Sequence, residues 1–128
     1  MDVDKLRFSK EHEWVAREGS KDIVTVGITE YAAGELGDIV YIELPGAGTE
    51  VKAMEPMGTI EAVKTVADLF APVSGVVEEI NEKLEDEPEL ANHNPYDEGW
   101  FIKIKLGAPE ELDALMSHEE YQKMIGKE

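Results

Sequence analysis

Three histidines, His12, His93 and His118, are the first candidates for chemistry. None has a second histidine three or four residues away, the spacing at which one helix face presents two ligands to a metal ion. They therefore read as surface or loop histidines, and no metal site is expected. With 29 carboxylates in the chain, the spacing of any two says nothing about a general acid–base pair. Glu85-Asp86-Glu87 lacks the alternating oxygen ligands and central glycine of a calcium loop, and reads as a solvated charge run. No Gly-x-x-x-x-Gly-Lys phosphate loop, dinucleotide fingerprint or Gly-x-Ser-x-Gly elbow is present. The chain has no cysteine, so it offers no thiol nucleophile, no thiolate metal site and no disulfide, which fits a reducing compartment. Lys64 stands between two strand-like runs. Taken alone it is one of 12 Lys and Arg residues and reads as a solubilising charge. Composition and spacing define no catalytic site.

The elements that would position these residues are mostly short strands. Residues 22–28 alternate, with Val24, Val26 and Ile28 on one face and Ile23 and Thr25 on the other, the period-two pattern of a half-buried strand. A strand at 13–17 precedes it, across a turn at Glu18-Gly19-Ser20. Thr29 can cap a helix over 30–36, because its hydroxyl can accept an otherwise unpaired amide hydrogen. Gly37 can end that helix in the left-handed region. Strands follow at 38–44 and 76–80. Residues 58–70 read by pattern as one long strand, with no glycine, asparagine or proline beside Lys64 to mark a turn. Residues 81–98 read as an acidic loop with one helical turn near 88–91. Over 100–106 the alternation puts Phe101, Lys103 and Lys105 on one face and Trp100, Ile102, Ile104 and Leu106 on the other. The period then changes to that of two short helices, 109–116 and 118–125, with Pro109 in a first turn and a Ser117–Glu120 capping box. Residues 36–43 weakly echo 73–80, mostly through generic strand pattern.

At 128 residues and 42% hydrophobic, the chain is long and apolar enough for one globular domain, 1–128, with a β core at about 12–106 and a helical tail at about 107–128. Its net charge of −17 would be repelled by nucleic-acid phosphates and anionic membranes, which makes both unexpected partners. No run approaches the ~20 apolar residues of a membrane span. The first residues carry neither an apolar signal core nor an Arg-rich transit pattern, so a cytoplasmic location is expected.

Residues 58–81 resemble the lipoyl-lysine hairpin of the glycine cleavage H-protein family, whose modified lysine lies in a Glu-Ser-Val-Lys-Ala type signature. Glu61, Val63 and Lys64 match, as do Pro72, Ser74, Gly75 and Asn81; Ala62 and Thr65 are mild departures. Further blocks match in order: His12-Glu13-Trp14-Val15, Val26-Gly27-Ile28-Thr29, Leu36-Gly37-Asp38-Ile39-Val40, and Asn94-Pro95-Tyr96-Asp97-Glu98-Gly99-Trp100 followed by Ile102-Lys103. Residues 119–121 sit where the family has its last helix.

The resemblance implies a mainly β fold, the antiparallel biotinyl/lipoyl carrier sandwich (a barrel-sandwich hybrid), with short helices and a helical tail. It implies lipoate bound covalently to Lys64, with Glu13 and Glu61 as arm or recognition contacts. Glu13 would lie near the parked aminomethyl-lipoyl amine. Some members carry a histidine at the position aligned with Glu35, so Glu35 departs from that pattern. The implied partners are a pyridoxal-dependent glycine decarboxylase, a tetrahydrofolate-dependent aminomethyltransferase, a dihydrolipoyl dehydrogenase and the lipoate-attaching enzymes. The carrier is expected to be a monomer. A lipoyl domain of a 2-oxoacid dehydrogenase would usually show Asp-Lys-Ala at the tip, and a biotin carrier would flank its lysine with methionines; neither pattern is present. The residues are also compatible with a lipoate-relay role or an acidic interaction module without cofactor.

Overall fold

The alternating run that begins after Asp22 forms an inner strand, because one of its faces is apolar and β-branched throughout. In a computed structural model describing residues 3–17 and 22–126, this strand is β3 (Ile23–Ile28), with Val24, Val26 and Ile28 buried. The turn expected at 18–20 lies outside the described residues. β3 pairs with β2 (Glu13–Arg17) on one side and β9 (Ile102–Leu106) on the other, both antiparallel. A six-stranded sheet results, in the order β1-β2-β3-β9-β8-β5. Its remaining members are β1 (Arg7–Phe8), β5 (Glu50–Val51) and β8 (Gly75–Ile80). A second, three-stranded antiparallel sheet has the order β4-β6-β7, formed by β4 (Ile39–Glu43), β6 (Pro56–Ala62) and β7 (Val66–Phe70).

The two sheets share one core. Val26, Ile102 and Ile104 of the large sheet belong to the same buried cluster as Ile42, Ile60 and Leu69 of the small one. Full burial of each such side chain is worth roughly 1.5–3 kcal/mol, so the small sheet is held chiefly by this face. α1 (Glu30–Leu36) bridges the sheets. Thr29 Oγ1 accepts from the Ala32 amide at 3.1 Å, and Gly37, at φ 79°, donates its amide to Ala33 O at 3.1 Å, as the capping pattern predicts. The two echoing segments contribute β4 and β8, one to each sheet.

The helical tail covers a second cluster of Leu6, Phe8, Trp14 and Tyr121. The expected box at the start of α4 (His118–Met124) is present: Ser117 Oγ accepts from the Glu120 amide, and Glu120 Oε1 accepts from the Ser117 amide. The first tail helix is a 3-10 helix over Pro109–Ala114, shorter than the span expected from periodicity. Among the described residues, no helix is long and apolar enough to cross a membrane.

Two regions depart from the pattern read in the sequence. Residues 81–98 hold two helical turns, α2 (Lys83–Asp86) and α3 (Leu90–His93), where one was expected. β9 starts at Ile102, and Phe101 is fully buried, with its amide donated to Val26 O at 2.8 Å. Phe101 therefore does not share an exposed face with Lys103 and Lys105; strict alternation begins only once regular pairing does. The strands β1 and β5, of two residues each, have no sequence signal, since two residues cannot display a period.

Candidate functional site

The run read as one strand over 58–70 is folded into a hairpin with Lys64 at its tip. Glu61 pairs with Val66, and the Ala62 amide donates to Thr65 O at 2.8 Å, leaving Val63 and Lys64 at the turn. The Val63 amide donates to Asp38 O at 2.9 Å and lashes the tip to the segment entering β4. His12 and Met54 are the only described non-glycine residues at positive φ. The tip thus turns without needing glycine or asparagine, which explains why no turn residue marks it in the sequence.

Lys64 is exposed, and Val63 beside it is 75% exposed. The lysine stem crosses the end of α1: a Cβ added at Gly37 would lie 3.2 Å from Lys64 Cε. Gly37 is favoured by its positive φ, while the exposed lysine stem could shift aside from a Cβ there. Asn92 of α3 secures the same junction, through partners too distant in sequence for any local pattern to mark it. Its Oδ1 accepts from the Ile39 amide at 3.0 Å and its Nδ2 donates to Gly37 O at 2.8 Å.

Beside the hairpin lies a cleft of about 350 Å³ between α1, the start of β2 and the small sheet. Leu36, Ile60 and Phe70 give it an apolar wall; Glu13, Glu35 and Asp68 bring carboxylates to it. Ile60 is four residues from Lys64, or ~13 Å along a strand. The pleat turns Glu61 away from the cleft, on the face opposite buried Ile60. The structure therefore brings Glu13 and Glu35 to one cavity and leaves Glu61 on the outer surface near Lys64.

Glu13 is 2% exposed, and Ser9 Oγ donates to its Oε1 at 2.5 Å. Burial pushes its pKa up to about 8, although the hydrogen bonds from Ser9 and the Phe70 amide work in the opposite direction. The carboxyl is therefore neutral near pH 7. The folded state holds a proton that the unfolded chain releases above its ordinary value of 4.5. This contribution to stability is fully present below that value and is lost as pH rises through about 8. Glu13→Gln keeps the shape and cannot ionise. Its melting temperature is expected to exceed that of the wild type by several degrees at pH 9, with the gap closing toward pH 5. A constant gap across that range in paired thermal melts would contradict the assignment.

His12 is a loop residue, as expected, but it is anchored in place and not free at the surface. Its Nδ1 lies 2.8 Å from the Tyr121 hydroxyl, which lies 2.7 Å from Thr29 Oγ1. Burial lowers the His12 pKa and pushes Tyr121 up to about 12, so a neutral ring can accept from a hydroxyl that keeps its proton. This chain ties the tail helix to the cap of α1 and to the mouth of the cleft. Its members lie 109 and 92 residues apart in sequence, beyond the reach of local pattern.

The tip presents an exposed lysine on a hairpin of a small antiparallel sheet, with a cleft beside it. This is the arrangement of a carrier domain, which presents a group on a hairpin lysine. The family described as Glycine cleavage H-protein matches residues 6–128. The chain is 54% identical over 124 residues to the glycine cleavage system H protein of Staphylococcus carnosus, covering 97% of each. It is 52% identical over 123 residues to that of Geobacillus kaustophilus, covering 96% of this chain and 95% of the relative. The crystal structure of a glycine cleavage system H protein from Mycobacterium marinum superposes with a TM-score of 0.87 at 35% identity, covering 98% of this chain and 99% of that one. The chain belongs to the glycine cleavage H-protein family, the lipoyl carriers of the glycine cleavage system. Its fold is the lipoyl-domain type of β sandwich.

Proposed function

We propose that Lys64 bears lipoate through an amide on Nζ, and that the whole chain, 1–128, works as one monomeric, cytoplasmic carrier unit. The exposed amine at the hairpin tip is the observation that carries this reading. When bound, the lipoyl group supplies the reactive sulfurs that a chain without cysteine lacks. Lys64 provides the tether. Extended by an eight-carbon acid, it would reach on the order of 14 Å, enough to span the ~13 Å to Ile60 at the cleft wall.

The chain's own residues then have separate tasks. The hairpin projects the amine, and the bond from Val63 to Asp38 keeps the tip from drifting. Leu36, Ile60 and Phe70 exclude water from one side of the cleft. Glu13 meets an incoming amine with a buried carboxyl, whose ionisation a nearby positive charge would favour. Glu61 contributes to recognition from the outer face.

The glycine decarboxylase would load the carrier with an aminomethyl group, the tetrahydrofolate-dependent aminomethyltransferase would take it, and dihydrolipoyl dehydrogenase would reoxidise the arm. The chain itself is a carrier and not an enzyme, because decarboxylation requires an electron sink that no side chain here supplies. The test is exchange of labelled carbon dioxide into glycine by a pyridoxal-dependent glycine decarboxylase. Lipoylated protein should raise the exchange strongly, and unmodified protein should not. Equal exchange from both forms would overturn the carrier reading.

A further inference from the structure

Among the described residues, seven large apolar side chains are exposed, and four of them, Val40, Tyr41, Val63 and Val66, lie at the Lys64 end of the small sheet. Two features of the backbone put them there. Tyr41 pairs with Glu61, and Glu61 with Val66, so these three form one row across β4, β6 and β7. Directly opposed residues of antiparallel strands share a face. The register between β4 and β6 also shifts: Ile39 opposes Ala62 and Tyr41 opposes Glu61, two steps on β4 against one on β6. The extra residue is Val40. A bulge of this kind re-aims side chains. Here Val40 and Tyr41 both face outward, at 48% and 52% exposure, between buried Ile39 and Ile42. Without it, strict alternation would turn Tyr41 inward and Ile42 out. The bulge therefore creates an apolar surface next to the lysine.

The geometry points to a specific occupant: the enzyme that attaches lipoate to Lys64 docks on the row Tyr41–Glu61–Val66, with Val40 and Val63 at its margins. This inference rests on the lipoyl reading of Lys64. Reach selects the occupant. Before modification the lysine amine stands about 6 Å from its own Cα, by five bonds of standard length. In the attachment step the ammonium first loses one proton. Nζ then forms a C–N bond to the lipoyl carbonyl of an acyl adenylate, the C–O bond breaks with its electron pair leaving on AMP, and a second proton passes from nitrogen to solvent, leaving one N–H on the amide. The attaching enzyme must thus close on the amine to bonding distance. A docking patch of ~800 Å² per partner has a radius of roughly 16 Å. Centred on Lys64, it covers Glu61, ~10 Å along the strand, and Tyr41 across from it. The later partners meet an arm on the order of 14 Å long and can engage from farther out. The attaching enzyme is thus the partner whose contact patch must lie around Lys64, and this row is the apolar surface there.

The experiment is attachment kinetics with a lipoate ligase, lipoate and ATP, followed by intact mass. The double variant Tyr41→Thr/Val66→Thr should lower kcat/KM by at least about tenfold, mainly through KM, since the loss is of docking area and not of the amine. Val76→Thr changes an exposed valine of the six-stranded sheet and should stay within twofold of wild type. Circular dichroism melts check that each variant folds. Wild-type kinetics in the folded double variant would overturn the inference and leave the lipoyl reading intact. So would an equal loss in Val76→Thr. If the row served a second copy or the decarboxylase instead, the double variant would alter sedimentation or exchange at an unchanged attachment rate, which also overturns it. A wild-type chain that takes no lipoyl mass would remove the parent reading and this inference together.

Discussion

Lys64→Arg is expected to reduce decarboxylase-dependent carbon dioxide exchange to the level seen with no carrier added. The substitution keeps a long cationic side chain at an exposed tip, so folding should change by no more than about 0.5 kcal/mol. What it removes is the acyl acceptor. A guanidinium stays protonated at every accessible pH and has no free amine lone pair to attack an activated acyl group. The expected outcome is therefore a near-complete loss of carrier function at an unchanged melting temperature. Exchange assays and thermal melts on the same preparation check both halves. Substantial exchange from the variant would mean that another residue carries the group.

The second large effect is on stability. Gly75→Ala should destabilise the fold by about 3 kcal/mol, or roughly 10 °C in melting temperature. A Cβ at Gly75 would lie 2.0 Å from Lys105 O and 2.8 Å from Ile104 Cγ2. The first of these is backbone on the neighbouring strand β9, paired to β8 through Val76 and Lys105. It can move only by opening the sheet. Gly34→Ala supplies the contrast. Nothing lies within 4 Å of a Cβ there, and the position is inside α1. The same substitution should stabilise by up to about 1 kcal/mol. Denaturant or thermal unfolding of the two variants should give shifts of opposite sign. A destabilisation under about 1 kcal/mol at Gly75 would mean that the two strands have room to separate.

Gly75 also shows why the Pro-Val-Ser-Gly stretch has the residues it has. Ser74 beside it cross-links three segments: its Oγ accepts from the Ala53 amide at 2.9 Å and donates to Glu111 Oε2 at 3.0 Å, while its amide donates to Glu111 Oε1 at 2.7 Å. The serine fastens the loop before β8 to the tail, and the glycine lets β9 come close.

The parts of the fold legible in the sequence are those fixed by local rules. The alternation of β3, the Thr29 and Gly37 ends of α1, and the Ser117–Glu120 box all have causes within a few residues. The hairpin tip was legible only through resemblance, because a turn with no positive φ needs no special residue. Phe101 was misplaced because alternation was extended past the point where pairing to β3 becomes regular. Asn92 and Tyr121 were missed for another reason. Each acts through partners more than 50 residues away, and an asparagine in a loop or a tyrosine in a helical stripe gives no local hint of such a bond. Glu13 could be named from its motif, but its neutral state comes from burial, which the surrounding acidic sequence conceals.

Mapping the added mass decides whether Lys64 is the lipoyl attachment site. The wild-type chain, incubated with a lipoate ligase, lipoate and ATP, should gain a single lipoyl mass. Fragmentation should place it on the peptide containing Lys64, and Lys64→Arg should gain nothing. A lipoyl group found on any other lysine, or a wild-type chain that stays at its unmodified mass, would contradict the account.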